Sequence, residues 1–192
     1  MLDLESLKRA NLTRWQACRV TPGLIHLLDA IACHLVAAKP RYLAVEARTA
    51  VPWAVIAVIH QRECSQSWAA SLAQGDPWNR ISVHEPRGRG PFQCWEEAAE
   101  DALIFCPPHA AKWTDWSIAG ALTLLERFNG LGYAAMGRAS PYLWASTDQY
   151  RCGKYIADGH YDPDAIDRQT GCAALLTRMS ALDPSIATAW TT

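Results

Sequence analysis

One glutamate ends a helix-length run that is apolar almost all round. Residues 52–63 read PWAVIAVIHQRE, and Glu63 stands where apolar residues give way to QRECSQS. A carboxyl group beside low-dielectric surroundings keeps its proton to higher pH, because burial disfavours the charged form. A general acid that protonates a leaving oxygen near neutral pH needs that property. His60, one helical turn earlier, falls on the same face, and Ser65 follows with a hydroxyl. Both are candidate substrate-binding groups.

Two other carboxylates are candidates for a partner. Asp76 sits in the Gly75-Asp76-Pro77 turn of a later loop, and Glu85 lies further along the same loop. An inverting glycosidase sets its second carboxylate ~6.5–9.5 Å from the acid to activate water. Asp76 is ranked first for that role and Glu85 second, although Asp before Pro is also ordinary turn chemistry.

A third group suits binding. Asn129-Gly130-Leu131-Gly132-Tyr133 follows a helical pattern, with Gly130 placed as its C′ cap. Then comes SPYLWASTDQYRCGKY, where Tyr142, Trp144, Tyr150 and Tyr155 alternate with Ser146, Thr147 and Gln149. Sugar rings have apolar faces and polar rims, which aromatics and amides match. For any single aromatic a place in the core is the better explanation. Trp53 and Trp116 are read as core residues inside helices.

Other chemistries lack their patterns. The histidines form no HExxH, the cysteines form no CxxC, and neither a GxSxG elbow nor a dinucleotide fingerprint is present. Neither a metal nor a cofactor is expected. Cys64 beside His60 is a poor thiol dyad, because neighbours on one helix rarely pair so.

Composition places these residues in an ordinary globular protein: 50% apolar, 19% charged and net charge −1. That balance gives no basic field for nucleic acid. The seven scattered cysteines are read as buried free thiols acting as small apolar residues, with a disulfide as the alternative. The segment MLDLESLKRANLTRW has early acids and no apolar core of a secretory signal. Leu24–Ala38 is broken by His26, Asp29 and His34, so no integral membrane segment is expected. Synthesis in the cytoplasm follows as the expectation.

Helices must position these groups. Apolar spacing predicts a helix over 5–18. Another is opened by Thr21-Pro22 and runs to about Ala38, with Leu24, Leu27, Leu28, Ile31 and Leu35 on one stripe. Pro40 opens a short helix through Arg48, and Pro52 opens the buried one ending near Glu63. Residues 71–93, with repeated Gly and Pro, form a long irregular or β-hairpin-like excursion. Helices are predicted again over 94–105, over 116–128, and from about Pro163 to the C-terminal region. The fold class is therefore mainly α.

The ordered set VPWAVIAVIHQRECS, GDPW, PFQCWEEAAEDAL, LLERFNGLGY and SPYLWASTDQYRCGKYIADG covers roughly residues 40–178. It resembles phage and bacterial lysozyme-family proteins, relatives of goose-type lysozymes and soluble lytic transglycosylases in the lysozyme-like superfamily. The resemblance implies a two-lobed helical lysozyme-like fold with a cleft. It implies a single catalytic domain over 1–192, with 1–39 as an N-terminal helical extension packed on it. It also implies that Glu63 is the general acid, that Asn129–Tyr133 is a substrate loop and that Tyr150 is a cleft tyrosine. The family usually has Glu-Ser-Ser where this chain has Glu63-Cys64-Ser65.

The implied activity is cleavage of the β-1,4 bond between N-acetylmuramic acid and N-acetylglucosamine in peptidoglycan by a monomer. Such an endolysin-like protein acts at the wall or periplasm after release. A lytic transglycosylase, a chitinase and a non-catalytic peptidoglycan-binding module remain as alternatives.

Overall fold

Capping chemistry sets where the first helix begins. In the computed structural model, which describes residues 3–73 and 75–190, the Asp3 carboxylate accepts from the backbone N–H groups of Glu5 and Ser6 at 3.3 and 3.0 Å. Those donors have no partner inside a helix, so the cap stabilises the first turn of α1 (Leu4–Ala17). Thr21 and Pro22 open a 3₁₀ turn, Pro22–Leu24, that leads into α2 (Ile25–Ala37). Its buried seam is Leu28, Ala32 and Leu35; Leu27, expected on that stripe, is 51% exposed. The seam advances by four and then three residues, and Leu27 lies one ~100° step off it.

The chain divides into two compact units, residues 33–116 and residues 1–32 with 117–192. In the first of these, α3 (Lys39–Thr49) ends on Ala50 in the left-handed conformation, φ 58°. Glu46 then reaches forward, and its carboxylate accepts from the Trp53 N–H at 2.9 Å. That side chain caps α4 (Trp53–Cys64), which is buried at every position from Trp53 to His60. A helix apolar on all sides satisfies its backbone internally and fills the centre of a core. α3 packs on α4 and on α5 (Trp95–Phe105). Between α4 and α5 the chain is irregular.

The second unit is built on α6 (Ile118–Phe128). Ser117 caps it by accepting from Gly120 N–H, and the helix is buried from Gly120 to Glu126. α1 packs against it. Gly130, at φ 85°, takes the left-handed position just past its end, as the sequence predicts. Short helices α7 (Gly132–Ala135) and α8 (Pro141–Trp144) follow, and then the antiparallel pair β1 (Lys154–Ala157) and β2 (His160–Asp162). Their register pairs Lys154 with Asp162 and Tyr155 with Tyr161. α9 (Cys172–Leu182) packs on α8, and α10 (Ser185–Ala189) packs on α9. The fold is mainly helical with a small two-stranded hairpin.

Several expectations need correction. Of the two forms expected for the 71–93 excursion the irregular one is found, with a bridge between Ala70 and Pro77 among the described residues, and a hairpin that was not expected lies at 154–162. The C-terminal helix starts at Cys172, not near Pro163, because Asp162 accepts from the N–H groups of Asp164 and Ala165 in a turn. Trp116 is half-buried and precedes α6 rather than lying within it. Only Cys106 and Cys172 are buried; all seven cysteines are free thiols, and Cys33, Cys94 and Cys152 are exposed. Among the described residues no single helix is long and apolar enough to cross a membrane.

Candidate functional site

Glu63 lies in the last turn of α4, and its side chain is exposed. The burial of the helix ahead of it therefore does not extend to this carboxyl. Beyond it the chain reverses through two successive left-handed residues, Ser65 at φ 51° and Gln66 at φ 58°. Ser65 N–H donates to Gln61 O at 3.0 Å and Gln66 N–H to His60 O at 3.1 Å, which satisfies the last carbonyls of the helix. Non-glycine residues resist this conformation, so the surroundings must hold it.

His60 is what holds it. The ring is fully buried. Its Nε2 lies 3.1 Å from the Ser67 carbonyl and its Nδ1 lies 3.0 Å from the Tyr42 hydroxyl. A carbonyl only accepts, so Nε2 carries the proton and Nδ1 accepts from Tyr42. Trp68 and Trp95 enclose the ring, with centroids at 4.6 and 4.5 Å. Burial pushes the imidazole pKa down to about 4, so His60 is neutral at ordinary pH. It does not contact solvent and cannot touch a substrate, which corrects its expected binding role. Burial likewise pushes the Cys64 thiol up to about 12, which removes the thiol nucleophile from consideration.

Around this latch lies an open groove of about 710 Å³, lined in part by His34, Arg41, Ser65, Gln66 and Trp68. The Arg41 guanidinium stacks 3.8 Å from the Trp68 ring centre, and its Nε donates to Glu96 at 2.6 Å. That bond holds the Glu96 carboxyl below its ordinary pKa.

Asp76 is committed to its own loop. One carboxylate oxygen accepts from Val83 N–H at 2.8 Å and His84 N–H at 2.9 Å. The other lies 2.6 Å from His84 Nδ1. Hydrogen bonds from the His84 backbone and ring hold its pKa below the usual carboxylate value. Glu85 is exposed and paired with Arg87 at 3.0 Å.

The aromatic region behaves differently from the expectation. Tyr142 and Trp144 are 4% and 0% exposed and belong to the core, where α8 sits against α6 and α9. Tyr133 is also buried, and its hydroxyl accepts from the Tyr155 N–H at 2.9 Å. It makes edge contacts with Tyr155 and Tyr161, so it fastens the hairpin. These three side chains offer no open face to a sugar. Tyr150 is half-buried; its hydroxyl accepts from Asp167 N–H and donates to Gly153 O. Asn129, Gly130 and Gly132 are exposed, with Asn129 Nδ2 donating to Ser140 Oγ at 3.1 Å.

Sequence reasoning passed over Arg41, Trp68 and His84. His84 stood among histidines without metal spacing, and its relation to Asp76 exists only once the loop closes. Among the described residues no group of three or more His, Cys, Asp or Glu is placed to hold a metal ion. Comparison with protein-family models, curated proteins and solved structures returned no match.

Proposed function

We propose that this chain cleaves the β-1,4 bond between N-acetylmuramic acid and N-acetylglucosamine in peptidoglycan, with Glu63 as the general acid. The observation that carries the reading is the setting of Glu63. It is exposed at the end of a helix that is otherwise buried from Trp53 to His60. A general acid must reach the substrate yet stay fixed relative to it. The buried helix supplies the fixed base, and the His60–Ser67 bond fixes the turn that follows. The resemblance of residues 40–178 to lysozyme-family proteins supports the same assignment and, with it, a lysozyme-like fold acting at the bacterial wall.

In this reading Ser65, beside Glu63 on the same unit, contacts the glycan. One observation favours a second form of the reaction. Both oxygens of Asp76 are occupied, so it is poorly placed to activate water itself. A lytic transglycosylase needs no second carboxylate, because the substrate's own groups complete the reaction and leave an anhydro end.

The test compares wild type with Glu63→Gln on purified peptidoglycan, at matched folding by circular dichroism, with mass analysis of products. Glutamine keeps the shape and cannot donate the proton. The expected result is a loss of at least ~10²-fold. A variant that clears peptidoglycan as fast as wild type removes Glu63 from the chemistry. Reducing or anhydro ends separate hydrolase from transglycosylase, and release of chitin oligomers in preference to peptidoglycan points to a chitinase.

A further inference from the structure

The loop after α4 holds an aspartate–histidine pair that the acid alone does not explain. Asp76 has only 11% of its side chain exposed, whereas the His84 side chain is 73% exposed. The carboxylate takes both the backbone N–H and the ring Nδ1–H of the same histidine. Val83 N–H completes the anchor. The two backbone bonds hold the loop on Asp76, and the ring bond orients the imidazole. A carboxylate on Nδ1 places the proton there, fixes the ring plane and leaves the Nε2 lone pair as the basic site. Among the described residues Nε2 has no protein partner. A buried carboxylate that steers an exposed imidazole is the arrangement by which histidine serves as a general base.

Hydrogen bonds tie this loop to the end of α4. Ser71 N–H donates to Asp76 O at 2.8 Å, and Trp78 N–H donates to Ala69 O at 3.3 Å. Trp78 Nε1–H donates to Trp68 O at 2.8 Å. Trp68 in turn follows Ser67, the residue latched by His60. The segment bearing Asp76 is thus fastened to the turn that follows Glu63.

We propose that His84, oriented by Asp76, is the base that takes a proton from the attacking water. The inference rests on the glycosidase reading above. In the step, the water oxygen bonds to the anomeric carbon while the glycosidic C–O bond breaks. The leaving oxygen takes the Glu63 proton, and the water proton passes to His84 Nε2. Bulk water then restores both groups. Asp76 is a positioning residue that never touches the water. The displacement is single, so the β-linked substrate gives an α-configured reducing end.

The test uses the full chain with the substitutions His84→Ala and Asp76→Asn, each assayed on peptidoglycan with and without sodium azide. Truncating the exposed ring of His84 leaves the two backbone N–H donors to Asp76, those of Val83 and His84, intact, so folding is expected to be retained. The expected result is a ~10²-fold loss in His84→Ala. Azide, already anionic, needs no base; it is expected to restore turnover and to yield an α-glycosyl azide. Asp76→Asn keeps an acceptor oxygen but weakens the charge on the ring, and a smaller loss with partial azide rescue is expected. A wild-type rate in His84→Ala overturns the inference, as does a loss that azide does not rescue. Anhydro ends from wild type overturn it too, since no water is then activated, while Glu63 keeps its role. A wild type that releases no sugar ends instead sinks the glycosidase reading, and this inference with it.

Discussion

Tyr42 on α3 fixes the tautomer of His60 on α4, through a hydroxyl 3.0 Å from Nδ1. Because that nitrogen accepts, the other must donate, and it donates to the Ser67 carbonyl across the turn after Glu63. One buried imidazole thus connects two helices of a core to the backbone that borders the candidate acid.

Removing the hydroxyl tests that connection. Tyr42→Phe leaves Nδ1 of a fully buried ring without a donor, and an unsatisfied buried acceptor costs about 1–3 kcal/mol. A lower urea midpoint with an unchanged slope is the expected outcome. A midpoint equal to that of wild type shows that the bond contributes nothing.

The same ring makes stability depend on pH. The His60 pKa is about 4 when folded and 6.5 otherwise, so between these values the unfolded chain binds more protons. Its contribution is complete above about pH 6.5 and is lost as pH falls towards about 4. Glu126 acts in the opposite sense. It is buried, its carboxyl is raised by that burial, and Asn11 donates to it at 2.9 Å. The folded state therefore holds that proton longer, and stability falls as pH rises from the ordinary glutamate value through the raised one. Urea unfolding from pH 4 to 7 is expected to show a steeper loss of stability towards acid in Glu126→Gln than in wild type. His60→Gln is expected to show a shallower one. Parallel curves for all three proteins contradict both assignments.

Gly171 has no room for a side chain. A Cβ there would meet the carbonyl oxygens of Leu143 and Ala145 at 2.5 Å and the Ala145 nitrogen at 2.7 Å. Backbone cannot yield as a flexible side chain does, and overpacking of this kind costs about 1–3 kcal/mol. Thermal unfolding of Gly171→Ala should show a clearly lower midpoint, and an unchanged one means that α9 shifts freely on α8.

Trp144 separates core from binding platform. It is fully buried, so Trp144→Ala removes a large core side chain at a cost of about 3–5 kcal/mol. Denaturant titration should register that loss, while the folded fraction keeps its affinity for glycan fragments in calorimetry. A variant of normal stability with lost affinity restores the binding role.

Local chemistry was enough to place most helices. Pro22 and Pro40 in first turns and Gly130 past the end of α6 act on their nearest neighbours, so their effects are written in adjacent residues. The apolar run before Glu63 likewise announced a buried helix, because burial on every side leaves no polar stripe. Other features were decided by distant partners. An aromatic reads the same in a core or in a cleft. Tyr142 and Trp144 became core only because α6 and α9 cover them. His60 looked like a ligand group on a helix face until Tyr42, Trp68 and Trp95 enclosed it. Asp76 looked like a free carboxylate until its loop folded back and placed Val83 and His84 on it. Sequence determined the residue types and the local turns. Which groups face solvent and which are consumed by hydrogen bonds was decided by contacts between residues far apart in the chain, whose pairing no local pattern encodes.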